Sequence, residues 1–347
     1  MIDFRYHLVS IVAIFLALAI GIVLGTTALN GPVTKALSKT TGQLQNENEN
    51  LRSANSMLQQ QLNGANSFAQ AAAPELLAHQ LDGQRVVVVT APGAASQLSG
   101  AVTSAVKQAG ATVTGQLALQ AKFFDTTAST QSYLDSLAQN LATQVKPAGL
   151  ALGDGSPTQH GAQVLASAIL TKSGSAPATS SGPAGTTQDA PADSAVLSGF
   201  GQAGFVTASA APASRATLAI VITPATPAAG PSPNAANQVL AAMASELCSA
   251  SVGSVLAGPS GSADPGGAVA AFRGANGTQP MSTVDDADTA IGQITVAWAL
   301  ARQLSSHQAG NYGTGTGASA IAPSPPPTPS PSPTASATAA SAAKGAR

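Results

Sequence analysis

The chain has 347 residues, a formal net charge of −1, 8% charged and 3% aromatic residues, and one cysteine. That near-neutral balance leaves no basic footprint for nucleic acid or acidic lipid, and one cysteine excludes an intramolecular disulfide. Few charges with much Ala, Gly, Ser and Thr suggest high-GC bacterial coding, and the length permits one α/β domain of ordinary size.

Leu8 to Leu29 is apolar almost throughout, with Ser10 and Thr26-Thr27 its clear polar members. A helix of that length spans about 30 Å, the hydrocarbon thickness of a bilayer. Residues 1–30 are therefore expected to be an N-terminal transmembrane anchor. The alternative is a cleaved signal peptide, which would have a shorter apolar core of about 7–15 residues and a small-residue cleavage site. Asn30-Gly31-Pro32 reads instead as a helix stop. Phe4 and Tyr6, beside Arg5 and His7, have the character of interfacial anchors, and membrane lipid is the expected partner. Lys35 and Lys39 follow the helix and Arg5 precedes it, so charge barely decides the orientation. Ala13, Ala17, Gly21 and Gly25 recur at every fourth residue. Gly21-x-x-x-Gly25 is the spacing at which two membrane helices approach closely, although small residues are common in such helices anyway.

Residues 31–73 read as a coiled-coil stalk. Leu37, Leu44, Leu51 and Leu58 fall at strict seven-residue spacing as d positions, and Thr41, Asn48, Asn55 and Leu62 occupy the matching a positions. Asn at a costs stability and fixes register in parallel dimers. A helix packed on its own domain would need a wider apolar stripe than this. Gly31-Pro32 is expected to separate stalk from anchor, and a parallel homodimer or higher oligomer follows from the two seams.

From Pro74 to about residue 322 the pattern alternates strands with helices. Val86-Val87-Val88-Val89 is a continuous β-branched run, expected of a strand buried on both faces. Ala94 to Ala109 reads as a helix capped by Gly110, Thr112 to Leu119 as a strand, and Gln131 to Val145 and Gln163 to Leu170 as helices. A second series follows: strand Leu218 to Ile222, helix Asn234 to Ala250, strand Ser254 to Leu256, and a last helix from Asp288 to Ser306. Its inward stripe is expected to be Ile291, Ile294, Trp298, Ala301 and Leu304. The fold class is α/β, a mostly parallel, doubly wound (Rossmann-like) sheet behind the anchor and stalk. Lys172 to Ser194 reads as a disordered loop, and residues 323–347 as a disordered Pro/Ser/Thr tail.

Arg5-Tyr6-His7-Leu8-Val9-Ser10-Ile11, Phe15-Leu16-Ala17-Leu18-Ala19 and Gly21-x-x-x-Gly25 resemble the start of the mycobacterial copper transport protein B (MctB) family. The resemblance continues through the stalk, Gly83 to Val89 and Gly199 to Val206, and closes with Thr283 to Gln293 and Asn311-Tyr312-Gly313. It covers most of residues 1–322. It implies an actinobacterial envelope protein of copper efflux and copper homeostasis, described as pore-forming in the outer membrane. Copper would then be the transported ion, and the main domain would lie outside the cytoplasm, with other envelope proteins as possible partners.

The residues themselves say less about chemistry. Copper(I) favours clustered Cys or Met, yet Cys248, Met57, Met243 and Met281 are scattered. Cys248 reads as a small core residue, and His79, His160 and His307 as isolated. Asp285, Asp286 and Asp288 form the acidic cluster. Its alternatives are a hard-cation site or a capping turn in which Asp288 caps the last helix. Cys248 and these three acids are the weak metal candidates. A transmembrane barrel would need alternating segments of about ten residues, and the strands here are short and continuous. No dinucleotide, P-loop or nucleophile-elbow motif is present, so no enzyme is expected and no cofactor implied. The competing class is a non-enzymatic envelope scaffold carried on a dimeric stalk.

Overall fold

The computed structural model describes residues 4–145, 150–172, 191–226, 232–275 and 281–324. It divides into two compact units, Met1–Ala65 and Asn66–Arg347. The loop expected at 172–194 lies outside the described residues except at its ends, and so does the tail beyond residue 324.

The first unit is helical. Helix α1 runs unbroken from Phe4 to Leu77. The stop expected at Asn30-Gly31-Pro32 does not form, and the helix passes through it. Pro32 lacks an N–H and removes one rung of the ladder. A helix established on both sides propagates across one missing rung more readily than it renucleates beyond it. Tyr6–Gly25 is long and apolar enough to cross a membrane, and none of it is buried. Leu37, Leu44, Leu51, Leu58 and Leu62 each expose more than half of their surface.

The second unit opens on the last turns of α1, where Ala69, Ala73 and Leu77 pack into a core. Its frame is a seven-stranded sheet of order β3-β2-β1-β4-β5-β6-β7. The strands are β1 (Arg85–Thr90), β2 (Thr112–Leu119), β3 (Val206–Ala210), β4 (Leu218–Ile222), β5 (Gly253–Ala257), β6 (Ser282–Val284) and β7 (Asn311–Tyr312). All neighbouring pairs are parallel except β2–β3. Val86 to Val89 are fully buried, as the β-branched run predicts. Val87 and Val89 face one core and Val86 and Val88 the other. Burial of each such side chain stabilises by about 1.5–3 kcal/mol.

One face of the sheet is covered by α3 (Ala128–Ala142), α4 (Pro157–Ile169), α5 (Ser194–Gln202), α6 (Pro233–Ala250) and α7 (Ala268–Ala275). The other carries α2 (Ser96–Gln108), α8 (Ala290–Ser306) and the end of α1. Gly110 follows α2 at φ +94, the left-handed position that ends a helix. On α8 the expected stripe is widened: Ile294 and Ala301 are buried and Trp298 and Leu304 pack against the core, while Ile291 is exposed over 37% of its surface. The buried face also includes Thr295, Val296, Ala299, Leu300 and Gln303. The Gln303 amide of α8 bridges the paired strands β5 and β6, a contact that a hydrophobic reading passes over. Gln303 Oε1 accepts from Ser254 N (2.8 Å), and Nε2 donates to Ser254 O (2.8 Å) and Ser282 Oγ (2.6 Å).

Candidate functional site

The acidic cluster lies beyond the carboxyl end of β6, and its three members have three different partners. Asp285 is 2% exposed and paired with Arg273 of α7 at 2.7 Å, itself 5% exposed. It also accepts from the amides of Thr314 (2.9 Å) and Gly315 (3.1 Å). Arg273 Nε donates to Thr283 Oγ1 (2.9 Å), Nη1 to Thr316 O (2.8 Å) and Nη2 to Tyr312 O (2.8 Å). The pair thus ties α7 to β6 and to the turn after β7. Gly313 is required there. Its φ is +122, and a β-carbon would strike the Asp285 carboxylate.

Asp288 does not cap α8. Thr289 does, its hydroxyl accepting from Gly292 N at 3.0 Å while donating to Asp286 O at 2.8 Å. A hydroxyl one residue nearer the helix reaches that amide without a carboxylate's desolvation cost. Asp288 Oδ1 instead accepts from Ser260 N and Oγ, in the loop after β5, at 2.8 and 2.9 Å. Asp286 is buried and, among the described residues, its Oδ1 has no hydrogen-bond partner. Burial, and then the neighbouring Asp285 charge, push its carboxyl up to about 6. Among the described residues no three His, Cys, Asp or Glu side chains converge as a metal-holding group.

The sheet order changes direction between β1 and β4, where doubly wound folds place ligands at the carboxyl ends. The β1–α2 turn is Ala91 to Ala95, with Gly93 at φ +83. Ala91 N donates to Ile222 O (2.8 Å) and Ala94 N to Ala91 O (3.2 Å). Those amides are engaged within the fold, and Ala95, the N-cap of α2, makes no side-chain cap.

The opposite, amino end of β5 holds a cleft of about 340 Å³ lined by Lys172, Cys248, Ser249, Ser251, Val252, Gly253, Gln303 and His307. Cys248 is half-buried at its wall rather than enclosed in the core. It occupies the last turn of α6, just before the chain enters β5. Burial pushes the thiol up, while the buried Ser254 hydroxyl and the Lys172 ammonium pull it down. His307 ends α8 in the left-handed conformation, φ 56, with its N–H on Gln303 O at 2.9 Å.

The other two domain histidines also have partners. His79 Nδ1 lies 2.7 Å from Asp82 Oδ2 on the surface. His160 Nδ1 lies 2.6 Å from Asp135 Oδ1, and Nε2 2.9 Å from Gly153 O. Asp135 in particular raises the His160 imidazole.

Residues 1–323 match the family described as "Copper transport outer membrane protein, MctB". The chain belongs to this family. Proteins named "Copper transporter MctB" from Mycobacterium tuberculosis H37Rv and Mycobacterium bovis are 32% identical to it over 322 residues, 90% of this chain and 96% of theirs. The Mycobacterium leprae protein of that name is 32% identical over 323 residues, again 90% and 96% of the two chains.

Within this MctB-family chain, sequence reasoning missed Arg273, Thr289, Lys172 and His307 as members of the two clusters. Arg273 and Lys172 come from separate elements and carry no local motif. Cys248 and His307 are the ends of two different helices, so no ligand spacing links them in sequence.

Proposed function

We propose that the protein is a membrane-anchored, non-enzymatic envelope component of copper transport, acting in efflux and homeostasis. The observation that carries this reading is the family match across both the apolar helix and the α/β unit. Tyr6–Gly25 serves as an uncleaved anchor, and the α/β unit works outside the cytoplasm. The seven strands form an open sheet with helices on both faces. Such a sheet handles or recruits copper rather than conducting it as a barrel would. Deleting the coding gene is expected to raise cellular copper and copper sensitivity, and the full chain to restore both. Unchanged copper content and tolerance in the deletion strain would overturn the reading. Rescue by residues 1–65 alone would remove any role for the α/β unit.

A second reading is favoured by the exposed leucine stripe. Leu37, Leu44, Leu51 and Leu58, with Asn48 and Asn55 in the adjacent seam positions, bury well only against another helix. In this reading a second copy of α1 supplies that helix, and the face of Gly21 and Gly25 offers a separate close helix approach. The chain then works as a dimeric scaffold for other envelope proteins.

A further inference from the structure

One nitrogen of His160 meets two backbone groups of opposite character. Nε2 lies 2.9 Å from Gly153 O and 3.2 Å from Gly155 N. Protonated, it can only donate to the carbonyl; unprotonated, it can only accept from the amide. We propose that His160 is a proton-operated latch on the turn before α4. The charged ring holds the turn by the Gly153 carbonyl, and the neutral ring exchanges that bond for the Gly155 amide. The proposal stands apart from the copper reading, since no metal enters it.

Three arrangements carry it. First, the other ring nitrogen is fixed. Nδ1 lies 2.6 Å from Asp135 Oδ1 on α3, and Gln139 Nε2 donates to Asp135 Oδ2 at 2.9 Å. An ionised carboxylate only accepts, so Nδ1 keeps its proton and Nε2 is the nitrogen that titrates. Second, the Gly155 amide has an acceptor in either state, because it also donates to Gly153 O at 3.0 Å. With the ring charged, Gly153 O accepts from both N–H groups. With the ring neutral, two lone pairs would face each other across 2.9 Å, so the carbonyl turns away while the amide closes on Nε2. Third, Ser156 and Gln159 close the capping box of α4 on the far side of the turn. The displacement therefore passes back towards Leu150 and Leu152, which are partly buried against the core.

The surrounding charges agree with this geometry. The Asp135 hydrogen bond raises the ring's proton affinity most, burial opposes it, and Gly153 O and the Asp154 charge add to the rise. On α3 the other titratable group, Tyr133, stacks on Phe205 instead. Neither α5 nor the rest of α4 carries a charged residue. On α6, Glu246 is shifted by burial alone, and Cys248 by burial, Ser254 and Lys172. The latch is therefore closed in acid and opens as pH rises through the folded value. The proton leaves Nε2 for solvent, and no other covalent bond changes. A charge-assisted bond is about twice as strong as a neutral one, so the open turn is held less firmly.

The test uses the full chain in detergent, carrying histidine labelled with nitrogen-15. Ring signals are followed from about pH 5 to about pH 8, where imidazoles titrate, and the His160 signals are those that His160→Gln removes. The neutral ring is expected to keep its proton on Nδ1. Hydrogen exchange over residues 150–156, corrected for its intrinsic pH dependence, should lose protection about fivefold as the ring titrates. H160Q should abolish that loss, and Asp135→Asn should move both transitions down by about one pH unit or more. A neutral ring protonated on Nε2 would overturn the latch, since that nitrogen could never accept from Gly155. Exchange that ignores the titration of His160 would overturn it as well, and so would a loss of protection that persists unchanged in H160Q.

Discussion

Replacing Arg273 with Ala would strand the Asp285 carboxylate in the interior, together with the carbonyls of Tyr312 and Thr316. Removing one partner of a buried pair costs about 3–5 kcal/mol. Urea unfolding of R273A should show a loss of that order, and Arg273→Lys should recover only part of it, because an ammonium cannot reproduce the guanidinium's fork of donors. A loss below about 1 kcal/mol, the range of an exposed pair, would mean that the pair is not buried in solution. This scale was the least legible in the sequence. The acidic run Asp285, Asp286, Asp288 stood out, yet its partners are Arg273 on α7, the Thr314-Gly315 turn and Ser260. Each of these is fixed by tertiary packing, which no local pattern encodes. Cys248 read as core for the same reason: burial follows from where α6 ends against β5, and the sequence around Cys248 does not state that.

Elements were read far better. β1, β2, β4, α2, α6 and α8 fall within a few residues of their expected spans, because β-branched runs and apolar periodicity are local signals. β3 escaped, since Val206–Ala210 has one buried residue and four exposed ones and pairs antiparallel at the sheet edge. β6 and β7, of three and two residues, are too short to carry a period. The heptad of α1 permits a direct test. Leu51→Ala should weaken the oligomer of the full chain in detergent, read by light scattering during size exclusion, while leaving the α/β unit folded. Asn48→Leu should strengthen association and broaden its stoichiometry, since Asn at a trades stability for register. A monomeric wild-type chain would dismiss the seam altogether.

At the scale of the whole molecule, stability depends on groups whose proton affinity is raised by folding. Asp286 moves from its ordinary 3.8 to about 6, and burial raises Glu246 as well. For such carboxyls the unfolded chain ionises first, so stability falls as pH rises from about 3.8 towards 6. His160 is raised above its ordinary 6.5 by Asp135. Its contribution is complete below that value and fades as pH rises through the folded value. The midpoint of urea unfolding should therefore decline with increasing pH across both windows. Asp286→Asn should flatten the acidic part and His160→Gln the part above it. A midpoint that climbs with pH in wild type would contradict both assignments.

The continuity of α1 through Gly31-Pro32 has a geometric outcome. A break would let each half choose its own rotation about the axis, whereas an unbroken helix of 3.6 residues per turn fixes one half against the other. Gly25 and Leu37 are twelve positions apart, which turns their side chains about 120° away from each other. The small-residue face and the leucine face therefore look in different directions, and one straight neighbour cannot engage both. Two chains closing on the leucines leave the glycine faces turned outward, each able to meet a further chain in the plane of the bilayer. If the leucine seam pairs, a continuous helix of this kind would let such pairs join into clusters or rows, where a jointed helix would permit a closed pair.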